Sequence, residues 1–331
     1  MSATPVPQLG DFKAYIASID TFILDCDGVI WQADKLIPGV KETLQALKQA
    51  GKRVVFLTNN SSKSRAMYVA KFTSLGLDVS VNDIFGSSFA AADYLRQIKF
   101  DKKAYVLGAQ GLLDELTSVG VQYVGGYKED TVNPWTSIDQ GYVEDNPEIG
   151  AVVVGFDPAI NYFKLARAYT YIQQPGCLFI ATNHDSTFPA KGGRLLPGTG
   201  TIVSALEVAH GSNALVMGKP SHFMLDCVKT AIGYDPARTV MVGDRYKHPF
   251  CFFGIMCRFC YILLTSNNPS LLHACCSLDT DIQFGLNGNL HTLLVLTGVT
   301  SLETLQSTSN AIRPEFYTPS FADLHAGLRG D

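Results

Sequence analysis

Phe22-Ile23-Leu24-Asp25-Cys26-Asp27-Gly28 is the stretch on which the fold turns. An apolar run that ends in acidic residues and a glycine reads as a buried strand feeding a loop. Arg53–Leu57 repeats the arrangement, a second apolar run closed by Thr58-Asn59-Asn60-Ser61. Between the two, Lys41–Ala50 carries helical spacing and stops at Gly51, a residue suited to the left-handed end of a helix. Buried strands alternating with helices predict a parallel sheet with helices on both faces.

The alternation continues along the chain. Ala104–Leu107, Ala151–Val154 and Leu178–Ala181 read as strands, and Leu112–Val119, Phe163–Gln173 and Ile202–Ala209 as helices. A helix is expected from about Lys63, with Ser61 or Ser62 as its N-cap. Ala214–Met217 and Thr239–Val242 read as two more core strands. The expected architecture is α/β: a Rossmann-like core in two pieces, residues 1–99 and 209–331, with a smaller α/β domain, residues 100–208, inserted between them.

Composition narrows the function. The chain has 331 residues, 47% hydrophobic and 17% charged, which supplies a large core and too little charge for disorder. A net charge of -4 argues against nucleic acid as a partner. Met1–Gly10 lacks the basic start and apolar run of a signal peptide. Five of the eight cysteines fall between Cys251 and Cys276, unlike a secreted disulfide framework, so the expected compartment is the reducing cytoplasm.

Asp25 and Asp27 stand just past a strand's carboxyl end, where open α/β sheets bind ligands. Carboxylates this close resist joint ionisation unless a cation intervenes, which suits a nucleophile beside a proton carrier. Three other stretches also follow apolar runs. Thr58-Asn59-Asn60 offers a hydroxyl and amides to an oxyanion, and Gly218-Lys219-Pro220 a point charge suited to phosphate. Gly243-Asp244-Arg245 adds a carboxylate. Each alone is an ordinary turn; four at successive strand ends form a pattern.

That ordered set, FILDCDGV (22–29), FLTNNSS (56–62), MGKPS (217–221) and MVGDR (241–245), resembles the haloacid dehalogenase superfamily of phosphatases. The subclass is the one with a large α/β cap between the second and third motifs, and LFIATNHD (178–185) and LPGTGTIVSALE (196–207) resemble that cap and its return. The group comprises 4-nitrophenylphosphatases, phosphoglycolate phosphatases and pyridoxal phosphatases. The resemblance implies Asp25 as the nucleophile that becomes an aspartyl phosphate and Asp27 as general acid, then base. It implies Mg²⁺ held by Asp25, the backbone carbonyl of Asp27 and Asp244, and a phosphoryl group held by Thr58, Asn59 or Asn60, and Lys219. It implies a small phosphorylated metabolite as substrate, 2-phosphoglycolate among them, and a homodimer formed through the cap. Asn183, Asp185 and Phe188-Pro189 are the expected specificity region. Phe188 stands near a position where pyridoxal-selective relatives carry His, which disfavours the pyridoxal alternative. Gly198-Thr199-Gly200 reads as a hinge returning to the core rather than as a phosphate cradle.

Tyr246–Ser277 breaks the texture: aromatic- and Cys-rich, with no clear period. Phe250–Thr265, interrupted by Arg258, falls short of the ~20 apolar residues of a membrane span. Cys257-x-x-Cys260 with His248 and Cys251 completes no zinc module. Joining Arg245 to Leu278 restores GDRLDTDIQFG, so residues 246–277 read as sequence added within the fourth motif, such as a retained intron or a gene-model error. Asp281, with Asp279 beside it, then becomes a carboxylate at the metal site or one that braces its ligands. The interruption leads to the expectation of a weakened enzyme, or of a catalytically dead binding protein on the same fold.

Overall fold

The computed structural model describes residues 5–135, 142–190, 194–245, 280–307 and 312–329. The segment 246–279 lies outside them, and with it the expectations for Phe250–Thr265, for the Cys257/Cys260 pair and for Asp279.

Two parallel sheets organise the chain. The larger has six strands in the order Phe316–Thr318, His291–Val295, Thr239–Gly243, Thr21–Asp25, Arg53–Thr58 and Ile84–Gly86. Thr21–Asp25 pairs in parallel with Arg53–Thr58 on one side and Thr239–Gly243 on the other. The strand order reverses direction there, making it a topological switch point with a crevice beyond the carboxyl ends. The strand is buried along its whole length, as a central strand between two helical layers requires. The second sheet has five strands in the order Leu215–Val216, Leu178–Ala181, Ile149–Val154, Lys103–Leu107 and Tyr123–Gly125.

The expected α/β class and Rossmann-like sheet are present, with local corrections. Ala214–Met217 is not a core strand: Leu215–Val216 pairs in parallel with Leu178–Ala181 in the second sheet. A two-residue strand joins whichever edge its backbone passes, and its apolar run carries no mark of which sheet that is. The helix expected near Lys63 spans Arg65–Ser74, and its N-cap is Ser64, whose hydroxyl accepts from Met67 N. Ser62 instead donates to Asn60 Oδ1 from both its backbone N (3.0 Å) and its hydroxyl (2.6 Å), so it belongs to a tighter turn upstream.

One apolar cluster runs through both sheets. It joins Ile23, Val55 and Leu57 of the large sheet to Val106, Val153 and Ile180 of the small one, through Ala91 and Leu95 of the helix Ser87–Gln97. Fully burying side chains of this size contributes about 1.5–3 kcal/mol each. A direct polar dock lies beside that cluster. The helix Gln110–Ser118 places Glu115 against the start of the helix Arg65–Ser74, where its carboxylate accepts from Arg65 N at 2.6 Å and pairs with Arg65 Nε at 3.2 Å. Gly111 N donates to Ser62 O at 3.1 Å, and a Cβ on Gly111 would overlap the backbone of Lys63.

Candidate active site

Three neighbouring strands deliver their ends to one crevice: Asp25 closes the central strand, Thr58 closes the next, and Asp244 follows Gly243. The helix Asp281–Asn287 adds Asp281 from the far side of the undescribed segment. Lys219 Nζ donates to Asp25 Oδ1 at 2.5 Å and to Asp281 Oδ1 at 2.7 Å. Asp281 Oδ2 accepts from Arg245 N at 3.1 Å. Asp25, Asp244 and Asp281 each offer an oxygen within 4.8 Å of the others, and all three are buried. Gly28, at φ 86°, makes the close approach possible, since a Cβ there would fall 2.6 Å from Asp244 Oδ2.

The charges explain the titration behaviour. Burial drives the Asp25 carboxyl well above the usual range; Lys219 pulls it back, and Asp281 and Asp244 push it up again. Asp244 is pushed up to about 7, by burial first and Asp281 second. Burial works against the Lys219 ammonium, but Asp25 and Asp281 outweigh it and raise its pKa. Three carboxylates against the Lys219 ammonium and the Arg245 guanidinium still leave the centre short of positive charge. Asp244 Oδ1 is buried with no hydrogen-bond partner. An all-oxygen donor set with an orphaned oxygen fits a hard divalent cation such as Mg²⁺.

The remaining expected residues divide by what holds them. Asp27 is half-buried and lines the cavity, its Oδ1 accepting from Trp31 Nε1 at 2.9 Å. Thr58 also lines the cavity, with its hydroxyl 3.4 Å from Tyr68 OH. Asn59 is already committed: its Oδ1 accepts from Lys219 N at 2.8 Å and its Nδ2 donates to Lys219 O at 3.0 Å. It therefore braces the lysine's backbone. Asn60 is exposed, its side-chain oxygen taken by Ser62.

Above this floor the second sheet supplies a roof, enclosing a cavity of about 140 Å³. Asn183, Asp185 and Phe188, expected there from sequence, all line it. Phe156 lines it too, packed edge-on against Phe188 with ring centroids 5.1 Å apart. Asp185 Oδ1 lies 3.4 Å from Asn59 Nδ2, and Asp185 Oδ2 lies 3.9 Å from Arg245 Nη1. Gly198 and Gly200 back the 183–185 loop: Gly200 N donates to Asp185 O at 2.9 Å, and a Cβ on either glycine would collide with a carbonyl of His184 or Asp185. Sequence reading missed Phe156, Trp31 and Ser61, whose hydroxyl accepts from Phe156 N at 3.2 Å. No local pattern marks Phe156 or Trp31, and Ser61 reads from sequence only as a motif turn or helix cap.

The comparisons agree with this geometry. Models of haloacid dehalogenase-like hydrolases match residues 22–122 and 87–247, and a HAD-hydrolase-like model matches residues 277–324. A chloroplastic phosphoglycolate phosphatase 1A of Arabidopsis thaliana is 44% identical over 326 residues, covering 97% of this chain and 81% of that one. A glycerol-3-phosphate phosphatase of Mus musculus is 40% identical over 333 residues, covering 96% and 94%. The solved structure of a p-nitrophenyl phosphatase from Archaeoglobus fulgidus superposes with a TM-score of 0.72 at 28% identity, covering 93% of this chain and 99% of that one. The chain belongs to the haloacid dehalogenase-like hydrolases, and within them to the phosphatases.

Proposed function

We propose that this protein is a Mg²⁺-dependent phosphomonoester hydrolase working through an aspartyl phosphate on Asp25. The observation that carries the reading is the buried Asp25–Lys219–Asp281 array, with Asp27 two residues away on the cavity wall. An Asp25 carboxylate oxygen attacks phosphorus, and the bond from phosphorus to the ester oxygen breaks. Asp27 gives its proton to the departing alkoxide. It then takes a proton from the water that attacks the aspartyl phosphate, which releases inorganic phosphate and restores Asp25. Lys219 and Thr58 face the phosphoryl oxygens as charge redistributes. Asp25, Asp244, Asp281 and the carbonyl of Asp27 would hold Mg²⁺, whose charge lets an anionic nucleophile approach an anionic ester.

The cavity favours a small leaving group. Its volume of about 140 Å³ and the Phe156–Phe188 pair across the roof suit the two- and three-carbon phosphate esters named in the relatives, phosphoglycolate and glycerol 3-phosphate. We place the core in residues 1–99 plus the C-terminal part and the cap between them, with the second crossing after Gly218 because Leu215–Val216 pairs with the cap sheet and Gly218 N still donates to Thr182 O. The cytoplasm remains the proposed compartment; Cys26, Cys177 and Cys227 are free thiols. No helix among the described residues is long and apolar enough to cross a membrane.

Phosphate release from 2-phosphoglycolate, glycerol 3-phosphate, pyridoxal 5′-phosphate and 4-nitrophenyl phosphate, with Mg²⁺ and with chelator, tests the reading. We expect chelator to abolish turnover and Asp25→Asn to lower kcat by at least about 10³-fold. Turnover retained in Asp25→Asn would refute the covalent route.

A further inference from the structure

Trp31 is tied to the chemistry by a bond that the motif reading does not contain. The chain folds back after Asp27: Gly28 N donates to Trp31 O at 2.7 Å, and Ile30 N and Trp31 N donate to Cys26 O at 2.9 and 3.2 Å. This turn brings the indole of residue 31 back over residue 27, and Nε1 donates to Asp27 Oδ1 at 2.9 Å. The indole has little freedom to leave. It is fully buried, edge-on to Phe72 with centroids 4.9 Å apart and stacked with Tyr68 at 6.2 Å. Lys71 Nζ sits over its face, 4.0 Å from the ring, and donates to Ala33 O at 3.1 Å, which holds the turn that follows. A cation over an indole face draws electron density from the ring and makes the N–H a stronger donor.

We propose that Trp31 is a positioning residue for Asp27, holding Oδ1 so that Oδ2 carries the proton delivered to the leaving oxygen, with Lys71 strengthening the hold. The inference rests on the reading of Asp27 as the proton carrier. In the first step the proton passes from Asp27 Oδ2 to the alkoxide as its bond to phosphorus breaks. In the second, a proton from the attacking water returns to Oδ2. The indole N–H stays on Oδ1 throughout, so the acid neither rotates nor offers the wrong oxygen.

The leaving group supplies a test that a purely structural role would not pass. An alkyl alkoxide needs a proton to depart, whereas 4-nitrophenolate departs without one. Trp31→Phe keeps the ring stacking and removes the donor. We expect kcat/KM, which reports only the steps through departure of the leaving group, to fall about tenfold or more on an alkyl ester, 2-phosphoglycolate or glycerol 3-phosphate, and at most about threefold on 4-nitrophenyl phosphate. Lys71→Met keeps the indole and should shift the same ratio in the same direction by a smaller factor; it decides the matter if Trp31→Phe does not fold. Equal losses on both esters, or an unchanged ratio in the folded variants, would overturn the role of Trp31. Asp27→Asn is the comparator. If it too leaves the alkyl-to-aryl ratio at the wild-type value, the assignment of Asp27 itself fails, a result distinct from failure of the Trp31 proposal alone.

Discussion

His184 sits one residue from each of two cavity-lining side chains, Asn183 and Asp185, but points the other way. Its Nε2 lies 2.8 Å from Glu207 Oε2, while Glu207 Oε1 accepts from Ala214 N at 3.0 Å. The hydrogen bond to Glu207 raises the His184 pKa above its ordinary 6.5, against the pull of burial. Burial works to raise Glu207, but the bond from His184 leaves it below its ordinary 4.5. A raised histidine contributes stability fully below pH 6.5 and loses it as pH climbs through the folded value. A lowered carboxylate contributes above pH 4.5 and loses it on acidification. We therefore expect the Tm gap between wild type and His184→Gln to be widest between about pH 5 and 6.5 and to narrow by pH 8.5, read by thermal melts across that range. A gap independent of pH would mean the pair is not ionic. Residues of this kind also show where sequence reading stops. Asp25, Asp27, Thr58, Lys219 and Asp244 were legible because each follows an apolar run that must be a strand. Phe156 and Glu115 were not, because their roles arise only when distant segments meet, and Trp31 was not, because a tight local turn rather than a pattern of residue types carries it back to Asp27.

The helix Gln110–Ser118 shows how an element can act beyond its own sheet. Gly111, Asp114 and Glu115 meet Ser62, Ser64 and Arg65 of the core, just downstream of the Thr58–Ser61 cavity wall. Glu115 is almost wholly buried, and its carboxylate caps a helix that begins in the other layer. The Arg65 guanidinium lies 3.5 Å over the ring of Phe89, which fixes the other side of the pair. Gly111→Ala should force this contact apart, since the new Cβ meets main chain rather than a flexible side-chain end. We expect a stability loss of about 1–3 kcal/mol by denaturant melt, together with a higher KM for 4-nitrophenyl phosphate. An unchanged melt and unchanged KM would show that the two layers tolerate separation here. Helical spacing alone placed this element to within two residues. The dock was invisible because it depends on a missing side chain.

At the scale of the molecule, the question is residues 246–277. The family matches stop at residue 247 and resume at residue 277, close to the limits set by the change in texture. On either side, the described residues bring Arg245 and Asp281 into direct contact at 3.1 Å. Asp244 and Asp281 thus stand at one centre. Joining Arg245 to Leu278 would cut the connection between Arg245 and Asp281 from 35 residues to three. Closure entropy grows with the length of the connection, and shortening by that factor reduces its cost by about 2 kcal/mol. The shortened chain should therefore melt several degrees higher and show kcat/KM at least as high as the full chain. Equal melting temperatures and equal turnover would show the added sequence to be energetically neutral.

The strand Leu215–Val216 bears on any attempt to rebuild the enzyme by recombination. Beyond it, Met217 N still donates to Ala181 O at 2.9 Å and Gly218 N to Thr182 O at 2.7 Å, and the next residue, Lys219, is gripped by Asn59. The polypeptide changes allegiance between two consecutive residues, one of which carries the ammonium facing Asp25. A chimera spliced at residue 208 would marry a foreign roof to a native edge strand and pass the mismatch straight to that lysine. Moving the suture past Gly218 would let the imported piece arrive with its own border intact.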